Sequence, residues 1–123
     1  MIAWEGLRER LNSDGEFRVS ARLWSATLRL DLGSDSRAIR IEDGTVASVE
    51  PCERDTACDV LVGAPEAVWE RMLEPVPRPF YHDLFAAQVH HGLVLGHDPL
   101  DYAAYYPALR RLLEVLRASR EEV

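Results

Sequence analysis

The four histidines of this 123-residue chain, His82, His90, His91 and His97, all fall between residues 82 and 97, beside Tyr81, Asp83 and Asp98. An imidazole titrates near neutrality, and a carboxylate close by orients it, so this cluster could do general acid–base chemistry. The candidates for that role are Tyr81, His82, Asp83 and His90. At the mouth of an apolar pocket they could polarise an apolar substrate, as an isomerase, cyclase or hydrolase does. The plainer alternative is that His82 and Asp83 are solvated first-turn residues, with Asp83 meeting the positive end of a helix. A metal centre is not expected. Ligands must converge at about 2 Å, and on a helix they recur at i and i+3 or i+4. His82 and His90 share no helix face, His90 and His91 point about 100° apart, and Asp83 lies two turns, about 10 Å, from His90.

Other chemistries are excluded or unsupported. All 14 basic residues are arginine, so Schiff-base catalysis, a lysine-bound PLP and a lysine-dependent phosphate loop are ruled out, and no cofactor is expected. No serine stands in a G-x-S-x-G turn. Cys52 and Cys58 match neither a zinc knuckle nor a C-x-x-C pair; both read as free thiols, with Cys58 buried. A net charge of −7 argues against nucleic acid and against anionic membrane surfaces as partners. No apolar run approaches the roughly 20 residues of a membrane span. The first residues lack the pattern of a signal peptide, so a cytoplasmic location is expected.

The elements that would position these residues follow from periodicity. Residues 2–11 carry Ile2, Trp4, Leu7 and Leu11 at helical spacing. Apolar and polar residues then alternate through 17–24, 26–32, 37–42, 45–50 and 57–62, predicting five strands. Asp43-Gly44 is the strongest hairpin signal, and the Val60-Leu61-Val62 run places the fifth strand centrally. After Pro65 the period becomes helical: 66–73, then 80–91 beyond a stiff Pro75–Pro77–Pro79 linker, then 100–120 with a kink or break near Tyr106 caused by Pro107. Residues 92–96 could add an edge strand.

These elements predict a single α+β domain over residues 1–123. It would have a five-stranded, mainly antiparallel sheet with helices packed on one face, enclosing an apolar cavity. The residues expected to line that cavity are Leu28, Leu30, Ile39 and Ile41 from the sheet, with Trp69, Met72, Leu73, Phe80, Leu84 and Phe85 from the helices. Residue by residue, ordinary core packing explains them as well. Arg18, Arg22, Arg29 and Arg40 share the opposite parity with Asp31 and Glu42. That stripe is either a salt-bridged solvated face or a polar interface of a homodimer.

The order of elements and several local strings resemble the sterol-carrier-protein-2 family. The strings are I-R-I-E-D-G-T-V-A-S-V at residues 39–49, D-V-L-V-G-A-P-E-A-V-W at 59–69 and G-L-V-L-G-H-D at 92–98, leading into the last helix. The resemblance spans roughly residues 17–117. It implies a five-stranded sheet with helices over an apolar tunnel, and non-covalent binding of sterols, fatty acyl chains or other lipids. The absence of lysine and the Phe80-Tyr81-His82-Asp83 cluster depart from that family's pattern.

Overall fold

The computed structural model describes residues 2–119. Strands β1 (Ala26–Leu32), β2 (Asp35–Glu42) and β3 (Thr45–Pro51) form an antiparallel meander. Two tight turns join them, Gly33-Ser34 and Asp43-Gly44. Asp43 and Gly44 both have positive φ, 49° and 78°, the hairpin geometry whose twist matches its strands. A Cβ at Gly44 would lie 2.9 Å from the Ala21 carbonyl oxygen, so glycine is required there on two counts.

Strand β4 (Val60–Ala64) returns parallel to β1, and β5 (Val94–His97) pairs antiparallel with β4. The order β3-β2-β1-β4-β5 gives a mixed, mostly antiparallel sheet. Leu28, Leu30, Ile39, Ile41, Val60 and Val62 share one face and are buried beneath the helices.

Residues 17–24, whose alternation suggested the first strand, form no strand. The first half of that stretch is helical and the rest a turn: α1 (Leu7–Ser13) is followed at once by α2 (Gly15–Ser20). Asp14 sets the start of α2 by accepting a hydrogen bond from the Phe17 amide at 2.8 Å. Phe17 and Ala21, one helical turn apart, are buried, while Val19 and Leu23 are exposed. The segment read as a possible edge strand supplies β5 instead. The N-terminal helix also starts later than expected: Ile2 and Trp4 precede it.

Because β3 and β4 both run parallel to β1, residues 52–59 must carry the chain back along the sheet past β2 and β1. They do so as a strap on the face away from the helices. The Arg29 guanidinium reaches up to it, donating from Nη1 to the Thr56 carbonyl at 2.8 Å. Beneath the strap Arg29 also grips Asp31, Nε to Oδ1 at 3.1 Å and Nη2 to Oδ2 at 3.2 Å, and Ser36 donates its hydroxyl to Asp31 at 2.8 Å. The arginine stripe therefore divides. Arg18 and Arg22 lie outside the sheet, Arg29 is engaged, half-buried, in this network, and Arg40 pairs with Glu42 along its own strand. Cys58 is half-buried rather than buried; burial raises its thiol pKa, which keeps it a poor nucleophile.

After β4 come α3 (Glu66–Met72) and α4 (Leu84–His91). Beyond β5, Pro107 divides the last helical stretch into α5 (Pro99–Ala104) and α6 (Tyr106–Ala118), with the break at Tyr105. Helix α6 buries Leu109, Leu112, Leu113 and Leu116 and clasps the N-terminal helices. Arg111 donates to Asp14 from Nε at 2.9 Å and from Nη2 at 2.7 Å.

The Arg111 hydrogen bond holds the Asp14 carboxyl below its ordinary value of 3.8, against the opposing effect of burial. Its stabilisation is thus complete above that ordinary value and is lost as pH falls through the lowered one. Asp14→Asn keeps a helix cap and loses the charged pair, so it should cost about 1 kcal/mol at neutral pH. In urea titrations the gap between variant and wild type should close in strong acid, once the wild-type carboxyl is protonated. A gap unchanged in strong acid would show that the ion pair is not its source.

Candidate functional site

The apolar faces of β1, β4, α3, α4 and α6 converge on one space. Leu30, Val62, Trp69, Leu84, Leu109, Leu112, Leu113 and Leu116 bound it, and every one is apolar. The leucines of α6 come from i, i+3, i+4 and i+7 positions, which put them on one stripe facing the sheet. The void left among these side chains is about 10 Å³, room for no more than about one water molecule. An open cavity was expected here; the branched side chains of α6 and the Trp69 indole fill this space instead.

Trp69 separates this space from a second one. Its indole also lines an open groove of about 210 Å³ with Ile2, Trp4, Leu32, Leu73 and three carboxylates, Asp35, Glu66 and Glu70. The Trp69 Nε1–H donates to the Asp31 carbonyl at 2.8 Å, which fixes the ring between the two spaces. On the groove wall, the Arg37 guanidinium sits 5.1 Å over the Trp4 ring and reaches Asp35 at 3.2 Å.

Helix α4 covers the inner space as a short lid. Residues 73–83 lead into it, and Asp83 caps it, accepting from the Ala86 amide at 3.4 Å. Tyr106 at the start of α6 latches that end: its hydroxyl donates to Asp83 and accepts from the Phe85 amide at 3.1 Å. Burial, and then the bond to Asp83, hold the Tyr106 phenol well above the usual phenol range, so it stays a neutral donor. Ring stacks tie α4 to α6 at the latched end and to its own lead-in loop at the other. Phe80 stacks on His90 at 3.8 Å between centroids, Tyr81 on His91 at 3.6 Å, and Phe85 on Tyr106 at 4.1 Å.

The residues singled out from the sequence separate accordingly. Leu30, Trp69 and Leu84 border the inner void; Leu28, Ile39, Ile41, Met72 and Leu73 are buried in the surrounding core. Phe80 and Phe85 do not line it but are partly exposed on the lid's outer side. The reason is that the helix starts at Leu84, one turn later than periodicity suggested. Asp83 is its cap, and Phe80, with a left-handed φ of 68°, lies in the preceding loop. None of the acid–base candidates borders the void. His82 and His90 are exposed, Tyr81 is stacked on His91, and Asp83 is engaged by Tyr106, with Arg110 at 3.7 Å. Among the described residues, no group of three or more His, Cys, Asp or Glu is placed to hold a metal ion. Val62 and the α6 leucines were missed as lining residues, although their helical spacing and buried strand run were legible.

No family model matches the chain. No curated protein matches it either. Solved structures do. A crystal structure of sterol carrier protein 2 aligns with a TM-score of 0.79 and 21% identity, covering 98% of each chain. A conserved hypothetical protein from Thermus thermophilus, described as possibly a sterol carrier protein, aligns at 0.75 and 21% identity over 98% of this chain and 88% of its own. A UbiJ-SCP2 ubiquinone synthesis protein aligns at 0.55 and 20% identity over 88% and 84%. The fold is that of sterol carrier protein 2.

Proposed function

We propose that this protein binds an apolar small molecule without covalent chemistry, between the sheet and the lid helix α4. The observation that carries the reading is the wholly apolar lining from β1, β4, α3, α4 and α6, in a fold shared with sterol carrier protein 2. The neighbours' descriptions, a sterol carrier and a ubiquinone synthesis protein, make a sterol the first ligand to try and ubiquinone the second. The void among these side chains holds about one water, so the ligand enters by displacing α4, whose latch and ring stacks lie at its ends. Binding is preferred to turnover because Tyr81, His82, Asp83 and His90 are spent on caps, stacks and solvent rather than turned to the apolar space. No helix among the described residues is long and apolar enough to cross a membrane.

The test is a titration with a fluorescent long-chain fatty acid and with a sterol, read through Trp69 emission and melting temperature. Binding in the micromolar range, about 8 kcal/mol, is the expected result. Leu84→Arg places a charge where the tail would lie and should abolish binding, while circular dichroism shows the sheet intact. No response to any apolar ligand, of any length, would end the carrier reading.

A further inference from the structure

Among the described residues, the large apolar side chains left exposed lie, apart from Val19 and Leu23, between residues 76 and 100. Three of them form one surface around α4. Phe85 and Val89 stand one turn apart on its outer side, 38% and 75% exposed. Phe80, 45% exposed, is stacked on the ring of His90 on the same helix. The opposite side of α4 buries Leu84 and Ala87. A helix that is apolar on both sides needs cover on both, and here one side has none.

Charge indicates what covers it. Between residues 75 and 97 the chain has one acidic residue, Asp83, and one arginine, Arg78, in a protein of net charge −7. Asp83 is engaged by Tyr106 and lies beside Arg110, and Arg78 lies 3.5 Å from Glu74. The segment that carries α4 is therefore close to neutral, with the Arg110 guanidinium beside Asp83, while the rest of the chain is acidic. The three side chains expose about 300 Å² of apolar area. That is well short of the roughly 800 Å² per partner that a stable protein interface buries. It does suit shallow insertion of 5–10 Å into a lipid surface, with Tyr81, His82 and His90 at headgroup level.

We infer that the outer side of α4, with Phe80, Phe85 and Val89, docks on a zwitterionic phospholipid bilayer. Docking engages the helix whose inner side covers the apolar space, so it brings the lid and the lipid source together. This purpose rests on the carrier reading, but the two can fail separately. Anionic lipid weakens docking, because the acidic remainder of the molecule is repelled from it.

The test is flotation of the full chain with phosphatidylcholine vesicles, alone and with about one-third phosphatidylglycerol. Wild type should float with phosphatidylcholine and less well with the anionic mixture. Val89→Glu, at a position with almost no burial to lose, should cut vesicle binding about tenfold or more and keep fatty-acid binding in solution. Wild type that binds the fatty acid but ignores phosphatidylcholine would overturn docking and leave the carrier reading standing. Docking would also be overturned by Val89→Glu floating as wild type does, or by light scattering that shows a dimer dissolved by that substitution. Wild type that floats and binds no apolar ligand would instead remove the carrier reading alone.

Discussion

Trp69→Ala should lower the unfolding free energy by about 3–5 kcal/mol, the usual cost of deleting a large buried aromatic. Trp69 is 3% exposed and stands between the inner void and the open groove. Alanine would merge the two, so the surrounding leucines could not close the hole. The substitution also removes the donor to the Asp31 carbonyl and leaves that buried oxygen short of a partner. Trp69→Phe separates the effects, keeping most of the volume and losing only the hydrogen bond, at a cost of about 1–2 kcal/mol. Urea denaturation followed by circular dichroism measures both. A loss under about 1 kcal/mol for alanine would mean that the indole packs against little, as on an open surface.

Asp31→Ala should cost about as much, roughly 3–5 kcal/mol, for a different reason. Asp31 is 8% exposed and is the acceptor for Arg29 and Ser36 under the strap. Without it a largely covered guanidinium keeps the Thr56 carbonyl as its hydrogen-bond partner. Removing one member of a buried pair costs far more than replacing both by apolar residues of similar size. The double variant Arg29→Met/Asp31→Leu should therefore recover most of the loss. If Asp31→Ala shifts the denaturation midpoint little, water reaches Arg29 and the strap is not sealed.

The meander β1–β3 was legible because the apolar residues of β1 and β2 alternate and Asp43-Gly44 marks a turn that demands left-handed backbone; β3 slips register opposite Arg40 and Ile41, so Val46 and Val49, three apart, face the same side. The break before α6 was legible from Pro107 alone. Residues 17–24 were not, because apolar residues at 17, 19, 21 and 23 satisfy a strand pattern while positions 17 and 21 also satisfy a helix. The Asp14 cap, which decides between them, looks in sequence like part of a turn. The strap could not be foreseen, since its path depends on β4 pairing with β1 rather than with β3. At the site, the inner leucines follow from period alone. The outward turn of Phe80 and Phe85 does not, because α4 carries apolar residues on both sides and its cap position fixes which ones face inward.

The strand ladders use residues 26–32, 35–42, 45–51, 60–64 and 94–97, and none of their pairings involves residues 65–93. Displacing the lid together with its lead-in loop thus breaks the Tyr106 latch, the Phe85–Tyr106 stack and the burial of Leu84 and Ala87, and leaves every strand pair in place. Opening and unfolding are separate equilibria in such a molecule. The lid can exchange with solvent on its own timescale, however stable the sheet beneath it becomes, and the two properties are free to be tuned by different residues.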